Sequence, residues 1–405
     1  MAGLPAEVRR LRFAGVPPIS AVAGGASVVA LGENNHYIRE FTVLRTALLR
    51  VLVEELGFGV VAVESGFPEG RLVDDWVRGG PGDARAVARG GFTFRFADPP
   101  EMVALLRWLR EHNTAGGRVR FAGLDVPGSG GSPLPALRQV RDHLAEHAAG
   151  DVALADAAVE ATRPYAAANN SAALARYATL SPAQRDAATA ALSRLWLRMD
   201  ALPLGPDPRG TRIARHAALG ALRLDEHLRE LSRLAPAEAA TLACSSRDVY
   251  MAETVRLLRL LHGPGARIAM LAHNAHAQRV PMRLLPNVVA RPAGAYLAEE
   301  LGEDYLAVGV TALGGTTADA QVDDNARLGF TVGEQPLGPP AEDSVEHAIA
   351  GEGLAAEPVL LDLRPARGAN GPSSIRHVAA HAPVDVLAAF DALICLPETS
   401  ASRLD

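Results

Sequence analysis

Residues 28–36 of this chain read Val-Val-Ala-Leu-Gly-Glu-Asn-Asn-His, four apolar residues followed at once by polar and ionisable ones. An uninterrupted apolar run predicts a strand buried on both faces, as in a parallel sheet. Residues 38–56 then repeat apolar side chains at helical spacing up to Gly57, which predicts a helix. Open α/β folds keep their active sites where strands end, so this stretch predicts an enzyme with Glu33 and His36 at the sheet edge.

The same alternation of strand and helix recurs along the chain. Further strands are predicted at 60–63, 119–124, 267–272, 305–311 and 358–363, and the first three end at Glu64, Asp125 and His273. Further helices are predicted at 99–113, 295–301, 344–349 and 384–393. The alternation predicts an α/β fold with a central, mostly parallel sheet flanked by helices.

One long segment has a different character. Residues 136–262 are rich in Ala, Leu and Arg and almost lack β-branched runs, which predicts a large helical insertion. We therefore expect the α/β core to be built from two parts, 1–135 and 263–405, separated by the helical insertion at 136–262.

The composition narrows the class of protein. Of the 405 residues, 48% are hydrophobic, enough to bury a large core. The formal charge of -6 provides no basic face for nucleic acid, so no nucleic-acid partner is expected. Residues 1–23 mix arginine and proline with apolar residues and resemble neither a signal peptide nor a membrane span. With only two cysteines, Cys244 and Cys395, we expect no disulfide, no membrane association and a cytoplasmic location.

All 40 residues counted as Lys or Arg are arginine. The absence of lysine excludes Schiff-base chemistry, the lysine-containing phosphate-binding loop and the strand lysine of protein kinases. No serine stands in a Gly-x-Ser-x-Gly turn, and neither cysteine has a histidine nearby in sequence. The remaining reactive side chains are His, Glu and Arg, which suit the activation of water by a neutral histidine. Hydrolysis without a covalent intermediate is therefore the leading mechanism.

A second histidine pair, His273 and His276, follows the predicted strand at 267–272. These histidines, with His36 and Glu64, could instead hold a metal ion, although a two-residue gap between histidines is a weak metal signal. A metal-dependent hydrolase thus stays open as an alternative.

Several of these stretches resemble the erythromycin esterases, with the closest likeness to the broad-range macrolide esterase (type II) branch. The stretches are 31–41, 64–70, 108–110, 123–125 with Pro127, 272–276 and 344–346. They occur in the family's order, and the likeness extends over nearly the whole chain, from about residue 5 to 397.

The resemblance implies an esterase that opens the lactone ring of a macrolide with water activated by histidine, without a metal or other cofactor. It makes His36 the general base, Glu33 its partner, and Arg45, Glu64 and His273 the residues that position water and stabilise the oxyanion. We expect the substrate to contact His276, Asn274, Tyr37 and Phe67.

Two features separate this chain from many family members. Many members carry Ser or Thr directly before the first histidine and Gly directly after it. This chain has Asn35 before His36 and Tyr37 after it. The helical insertion is also expected to shape the substrate cleft. An alternative is therefore a natural-product biosynthetic enzyme that acts on another polyketide ester or lactone by hydrolysis, elimination or cyclisation.

Overall fold

A computed structural model describes residues 3–234, 242–243, 246–285, 288–323, 325–326 and 328–404. The strands are β1 (Arg9–Arg12), β2 (Val28–Leu31), β3 (Val60–Gly66), β4 (Arg120–Asp125), β5 (Leu242–Ala243), β6 (Ile268–Leu271), β7 (Met282–Leu285), β8 (Val288–Ala290), β9 (Tyr305–Val322), β10 (Phe330–Pro336), β11 (Val359–Asp362), β12 (Ser374–His377), β13 (Ala380–Pro383) and β14 (Ala392–Thr399). The helices are α1 (Ser20–Ala23), α2 (Arg39–Glu54), α3 (Phe67–Val77), α4 (Ala84–Gly91), α5 (Pro100–Thr114), α6 (Leu134–His147), α7 (Val152–Thr162), α8 (Asn170–Thr179), α9 (Pro182–Ala201), α10 (Pro208–Ser232), α11 (Ser246–His262), α12 (Asn274–Ala277), α13 (Ala293–Leu301), α14 (Val345–Gly351) and α15 (Val386–Ala389).

One large sheet dominates the part of the chain that the structure describes. Its strand order is β1-β11-β14-β9-β2-β6-β3-β4, and β10 pairs with the far half of β9. The six strands from β14 to β4 run parallel, whereas β1, β11 and β10 join antiparallel. The prediction of an α/β fold with a mostly parallel central sheet is confirmed.

Strand β2 shows why the opening apolar run lies inside the sheet. It pairs with β6 on one side and β9 on the other. Val29 and Leu31 point into one hydrophobic core, and Val28 and Ala30 into a second core on the opposite face. Because side chains alternate along a strand, a run without polar residues is what burial on both faces requires.

Helices α6 to α10 follow one another without an intervening strand. They enclose hydrophobic clusters of their own, one of them built around Leu137, Val140, Leu195 and Ala217. The division into 1–135, 136–262 and 263–405 stays a prediction.

The prediction of a helix at 384–393 is wrong in its second half. Helix α15 ends at Ala389, and β14 begins at Ala392 between β11 and β9. A short apolar run fits a buried strand as well as a helix, and here pairing within the sheet decides. The strand predicted at 305–311 is also longer than expected, because β9 continues to Val322 in its hairpin with β10.

Cys395 is a buried free thiol in β14. The other cysteine, Cys244, lies outside the described residues. Among the described helices, none combines the length and the apolar character that a membrane crossing requires.

Candidate active site

The polar residues predicted to carry the chemistry follow three strands that are neighbours in the sheet. Glu33 and His36 come after β2, Glu64 lies near the end of β3, and His273 comes after β6. Since β2, β6 and β3 are adjacent and parallel, their carboxyl ends meet at one edge. The fold therefore brings together groups that are about 240 residues apart in sequence.

Glu33 holds His36 and Arg45 at the same time. Its Oε1 lies 2.9 Å from His36 Nδ1, and its Oε2 lies 2.6 Å from an Arg45 guanidinium nitrogen. Arg45 reaches this position from the second turn of α2 and is buried. The carboxylate thus fixes the tautomer of His36, because a proton on Nδ1 leaves Nε2 with its lone pair.

The other side of the His36 ring is open. Nε2 lies 3.7 Å from Glu64 Oε1, which is longer than a hydrogen bond, and the imidazole is 21% exposed. Phe96 packs edge-on at 4.9 Å between ring centroids. His36 therefore combines a fixed orientation with one nitrogen that can accept a proton.

The carboxylate of Glu64 is buried and surrounded by hydrogen-bond donors. Its Oε2 accepts from the backbone N–H of His273 at 2.7 Å, and its Oε1 accepts from Arg247 at 2.9 Å. Burial alone would raise the pKa of Glu64, but His276, His36 and Arg247 outweigh it and hold the pKa well below its usual range. Glu64 is therefore a permanent carboxylate at neutral pH.

His276 lies between two carboxylates. Its Nδ1 is 2.6 Å from Asp248 Oδ1, and its Nε2 is 3.3 Å from Glu64 Oε1. Burial lowers the pKa of His276, but Asp248 and Glu64 more than compensate and raise it to about 10. His276 is thus an imidazolium at neutral pH, with both N–H groups directed at acidic oxygens.

His273 uses both ring nitrogens inside the protein. Nε2 lies 2.8 Å from the carbonyl oxygen of Asn34, and Nδ1 accepts from the N–H of Ala275 at 3.0 Å. This pattern assigns the proton to Nε2. Burial and the neighbouring His377 and His36 lower the pKa of His273 well below its usual range. The neutral ring ties the loop after β6 to the loop after β2.

The remaining predicted residues occupy different surroundings. The buried amide of Asn274 exchanges two hydrogen bonds with the backbone of Val310, which joins α12 to β9. Tyr37 lines the cleft beside His36 and has a left-handed backbone, with φ of 62°. Phe67 packs against His216 and Tyr250 in the core and is not among the described residues that line this cleft.

Four further residues complete the site and were missed as functional residues in the sequence. Arg247 binds Asp125 through two nitrogens, at 2.9 and 2.8 Å, and also binds Glu64. Asp248 holds His276, and the ring of His377 lies 4.8 Å from that of His273. Asp125 could have been found, because it ends β4, and Glu64 likewise follows the apolar run of β3. Arg247 and Asp248 lie at the start of α11, where no local pattern indicates them.

The charges at this edge do not cancel while His36 is neutral. Four carboxylates, those of Glu33, Glu64, Asp125 and Asp248, face three cations, those of Arg45, Arg247 and His276. One negative charge is therefore uncompensated, and the site becomes balanced when His36 takes a proton.

His36 opens into a cleft of about 400 Å³. Its walls come from the loop after β2, the start of α8, the β9–β10 hairpin and the turn after β12. The lining residues are Asn35, His36, Tyr37, Phe94, Asn169, Asn170, Ser171, Ala318, Asp319, Ala320, Gln321, Val322, Gly329, Phe330 and Val378. This size and mixed lining are typical of a small-molecule site.

Among the described residues, no group of three or more His, Cys, Asp or Glu side chains has an arrangement that could hold a metal ion. Both ring nitrogens of His273 contact backbone groups, and both of His276 contact carboxylates.

Comparison with known proteins identifies the same family that the sequence motifs resemble. The sequence profile of a family described as erythromycin esterase matches residues 53–399. Erythromycin esterase type II from Escherichia coli is 30% identical over 394 residues, which cover 96% of this chain and 93% of that protein. Erythromycin esterase type I from Escherichia coli is 26% identical over 408 residues, with 98% and 96% covered.

A solved structure gives the same result. An erythromycin esterase mutant, EreC, in its open conformation superposes with a TM-score of 0.81 at 25% identity, over 95% of this chain and 94% of that one. The resemblance drawn from the sequence motifs is thereby confirmed.

Proposed function

Because this chain belongs to the erythromycin esterase family and is therefore a carboxylic ester hydrolase, we propose that it opens the lactone ester of a macrolide with water activated by His36 and without a metal. The observation that carries the proposal is the pairing of His36, a residue that lines the cleft. Its Nδ1 is bound to Glu33, whereas Nε2 has no hydrogen-bond partner among the described residues and lies 3.7 Å from Glu64.

The attacking water fits between His36 and Glu64. Two acceptors 3.7 Å apart can both be reached by one water molecule. His36 Nε2 takes one proton as the water oxygen bonds to the ester carbon, and the carbonyl oxygen becomes an oxyanion. The carbon–alkoxide bond then breaks, and the imidazolium returns the proton to the leaving oxygen. The products are one carboxylic acid and one alcohol, which remain joined when the ester is cyclic.

The buried network supports this role of His36. Arg45 pairs with Glu33, and Arg247 and His276 pair with Glu64, so these cations hold both carboxylates in position. Protonated His36 is then stabilised by Glu33 through a charge-assisted hydrogen bond. Such a positioned base contributes about 10²- to 10⁴-fold to the rate.

The walls of the cleft support a bulky, mainly neutral substrate. Tyr37, Phe94, Val322 and Phe330 provide apolar surface, and amides from Asn169 and Gln321 provide hydrogen bonds. Asp319 and His36 are the charge-bearing side chains among the described lining residues. A macrolide has this character, and so does a related polyketide lactone.

Mass spectrometry tests the proposal directly. The purified protein is incubated with erythromycin and a panel of other macrolides in H₂¹⁸O, before and after exhaustive chelation. A mass gain of one labelled water that survives chelation is expected. Loss of water or a product without the label would favour elimination or cyclisation, and loss of activity on chelation would favour the metal-dependent alternative.

The cytoplasmic location and the absence of a nucleic-acid partner stay predictions from the composition. Fractionation of cells that express the chain, and a filter-binding assay with duplex DNA, would test them.

A further inference from the structure

We propose that His377 is a further catalytic residue, whose ring N–H donates a hydrogen bond to the ester carbonyl oxygen as that oxygen becomes an oxyanion. This inference rests on the proposed function, since it assigns a second partner to the ester that His36-activated water attacks.

The hairpin of β12 and β13 places His377 beside His273 and next to Val378, which lines the cleft. His377 ends β12, and the next residue, Val378, donates its N–H to the carbonyl oxygen of Asn34 at 2.8 Å. The same carbonyl accepts from His273. The turn after His377 is therefore fixed to the loop that carries His36.

The backbone of this turn is strained. Val378 has φ of 58°, a left-handed conformation that is a clear outlier for a β-branched residue. Such strain persists where the surroundings impose it, and it concentrates at functional sites. Val378 also lines the cleft into which His36 opens.

Buried contacts also hold β12 at Arg376, the residue before His377. Arg376 donates its backbone N–H to Glu346 at 3.0 Å, and its guanidinium donates to the carbonyl oxygens of Ala312 and Leu313. Arg376 is among the largest fully buried side chains of the described chain. His377 is thus carried by a rigid element, as a group that must meet a transition state requires.

His377 differs from the other imidazoles of the site in its partners. His36, His273 and His276 each have a ring nitrogen within 3.0 Å of a partner. Neither ring nitrogen of His377 has a hydrogen-bond partner among the described residues, although the ring is half-buried and 4.8 Å from that of His273. Burial, with the charges of His276 and His36, lowers the pKa of His377. The ring is then neutral and retains one N–H donor at neutral pH.

The nearby cationic and imidazole side chains already have partners of their own. Arg45 binds Glu33, Arg247 binds Asp125 and Glu64, and His273 donates to Asn34. A donor for the oxyanion must leave its proton in place during the reaction, and a neutral imidazole does so. No proton is transferred in this contact. The oxyanion accepts a hydrogen bond, which weakens again when the carbonyl re-forms.

The test compares His377→Ala and His377→Gln with wild type, using the macrolide of the panel that the wild type opens fastest. Loss of one oxyanion donor is expected to lower kcat of His377→Ala by about 10²- to 10³-fold, with KM changed by less than about threefold. His377→Gln, which keeps an N–H donor, should recover part of this loss. His347→Ala, on α14, is the matched control and should retain wild-type kcat.

Unfolding curves show whether each variant is folded. The His36→Ala variant then separates a failure of the inference about His377 from a failure of the proposed function. If His377→Ala is folded and has wild-type kcat while His36→Ala is inactive, the inference about His377 is wrong and the proposed function stands. If His36→Ala keeps full activity, the proposed function itself fails. A loss in His377→Ala that Gln does not relieve, or that appears only in KM, would also contradict the oxyanion contact.

Discussion

His276 Nδ1 lies 2.6 Å from Oδ1 of Asp248, a residue at the start of α11. The same oxygen also accepts a hydrogen bond from the backbone N–H of Ala293. Arg247, one position earlier, faces Glu64 and Asp125. The first turn of this helix therefore supplies both a cation and an anion to one edge of the sheet. Through them, α11 determines the charge of His276 and of Glu64 at the same time.

The first prediction concerns the pH dependence that Asp248 gives to His276. The pKa of His276 in the folded protein, about 10, lies above its ordinary value of 6.5. Its contribution to stability is therefore complete below about pH 6.5 and is lost as the pH rises through about 10. Asp248→Asn removes the largest favourable partner, so both the stability and kcat/KM should begin to fall nearer neutral pH than in wild type. Thermal melts and pH–rate profiles between pH 6 and 10.5 measure this shift.

Glu253→Gln provides the control for Asp248→Asn. Glu253 lies on the same helix but pairs with Arg223 away from the site. This variant should keep the wild-type alkaline limb. Identical limbs for Asp248→Asn and wild type would show that His276 does not depend on this carboxylate.

The second prediction concerns His36 itself. His36→Ala should lower kcat/KM by at least about 100-fold, because water loses the base that Glu33 orients. Because the ring is partly exposed and lines the cleft, the variant should still fold, with an unfolding midpoint close to that of wild type. Steady-state kinetics and urea unfolding measure the two quantities, and His347→Ala is again the control. A folded His36→Ala protein with near wild-type turnover would refute the assignment.

Much of the fold could be predicted because its parallel strands are short apolar runs buried on both faces. Val28–Leu31 and residues 60–63 are apolar runs of this kind, and a polar residue of the sheet edge, Glu33 or Glu64, follows each run within two positions. The hairpin of β12 and β13 could not be found by this rule, because its strands are short and half-polar. The predicted helix at 384–393 was extended too far because the apolar residues at its end fit a buried helix as well as the strand β14 that they begin.

The site was predictable to the extent that it follows the ends of strands. Glu33, His36 and Glu64 obey this rule, and the structure brings them within hydrogen-bonding or water-bridging distance. Arg247 contacts Glu64 from 183 positions away, and only the packing of α11 on the sheet brings them together. Tertiary contacts of this kind leave no period or motif in the sequence.

The third prediction concerns Glu69, a partly buried residue of α3 outside the site. Burial raises its pKa to about 7, and its Oε1 accepts the N–H of Gly128 at 3.0 Å. The ordinary value is 4.5, so the carboxyl contributes most below about pH 4.5, and this contribution is lost as the pH rises through about 7. The side chain of Glu69→Gln is always neutral. The free energy of unfolding of this variant should therefore be close to that of wild type at pH 5 and exceed it at pH 8.5 by roughly 1–3 kcal/mol.

Urea unfolding at the two pH values tests the Glu69 prediction. Glu111→Gln, an exposed position on α5, removes the same charge without the burial and should show no such difference. Equal stability of Glu69→Gln and wild type at pH 8.5 would contradict the assigned cause.

The fourth prediction concerns the close approach of β3 and β4 beside Glu64. A Cβ atom on Gly123 would lie 2.2 Å from the carbonyl oxygen of Gly66 and 2.6 Å from that of Ser65. Both contacts are with backbone, so the end of β3 would have to move. Gly123→Ala should destabilise the protein by about 1–3 kcal/mol and displace Glu64 from Arg247.

Two measurements separate the effect of Gly123→Ala on packing from its effect on chemistry. Urea unfolding gives the loss of stability, and kcat, measured where the variant is fully folded, should also fall because Glu64 no longer faces His36 correctly. Gly59→Ala is the matched control, since a Cβ there meets no atom within 4 Å. If Gly123→Ala were as stable and as active as Gly59→Ala, the end of β3 would be free to shift, and the position of Glu64 would not depend on this contact.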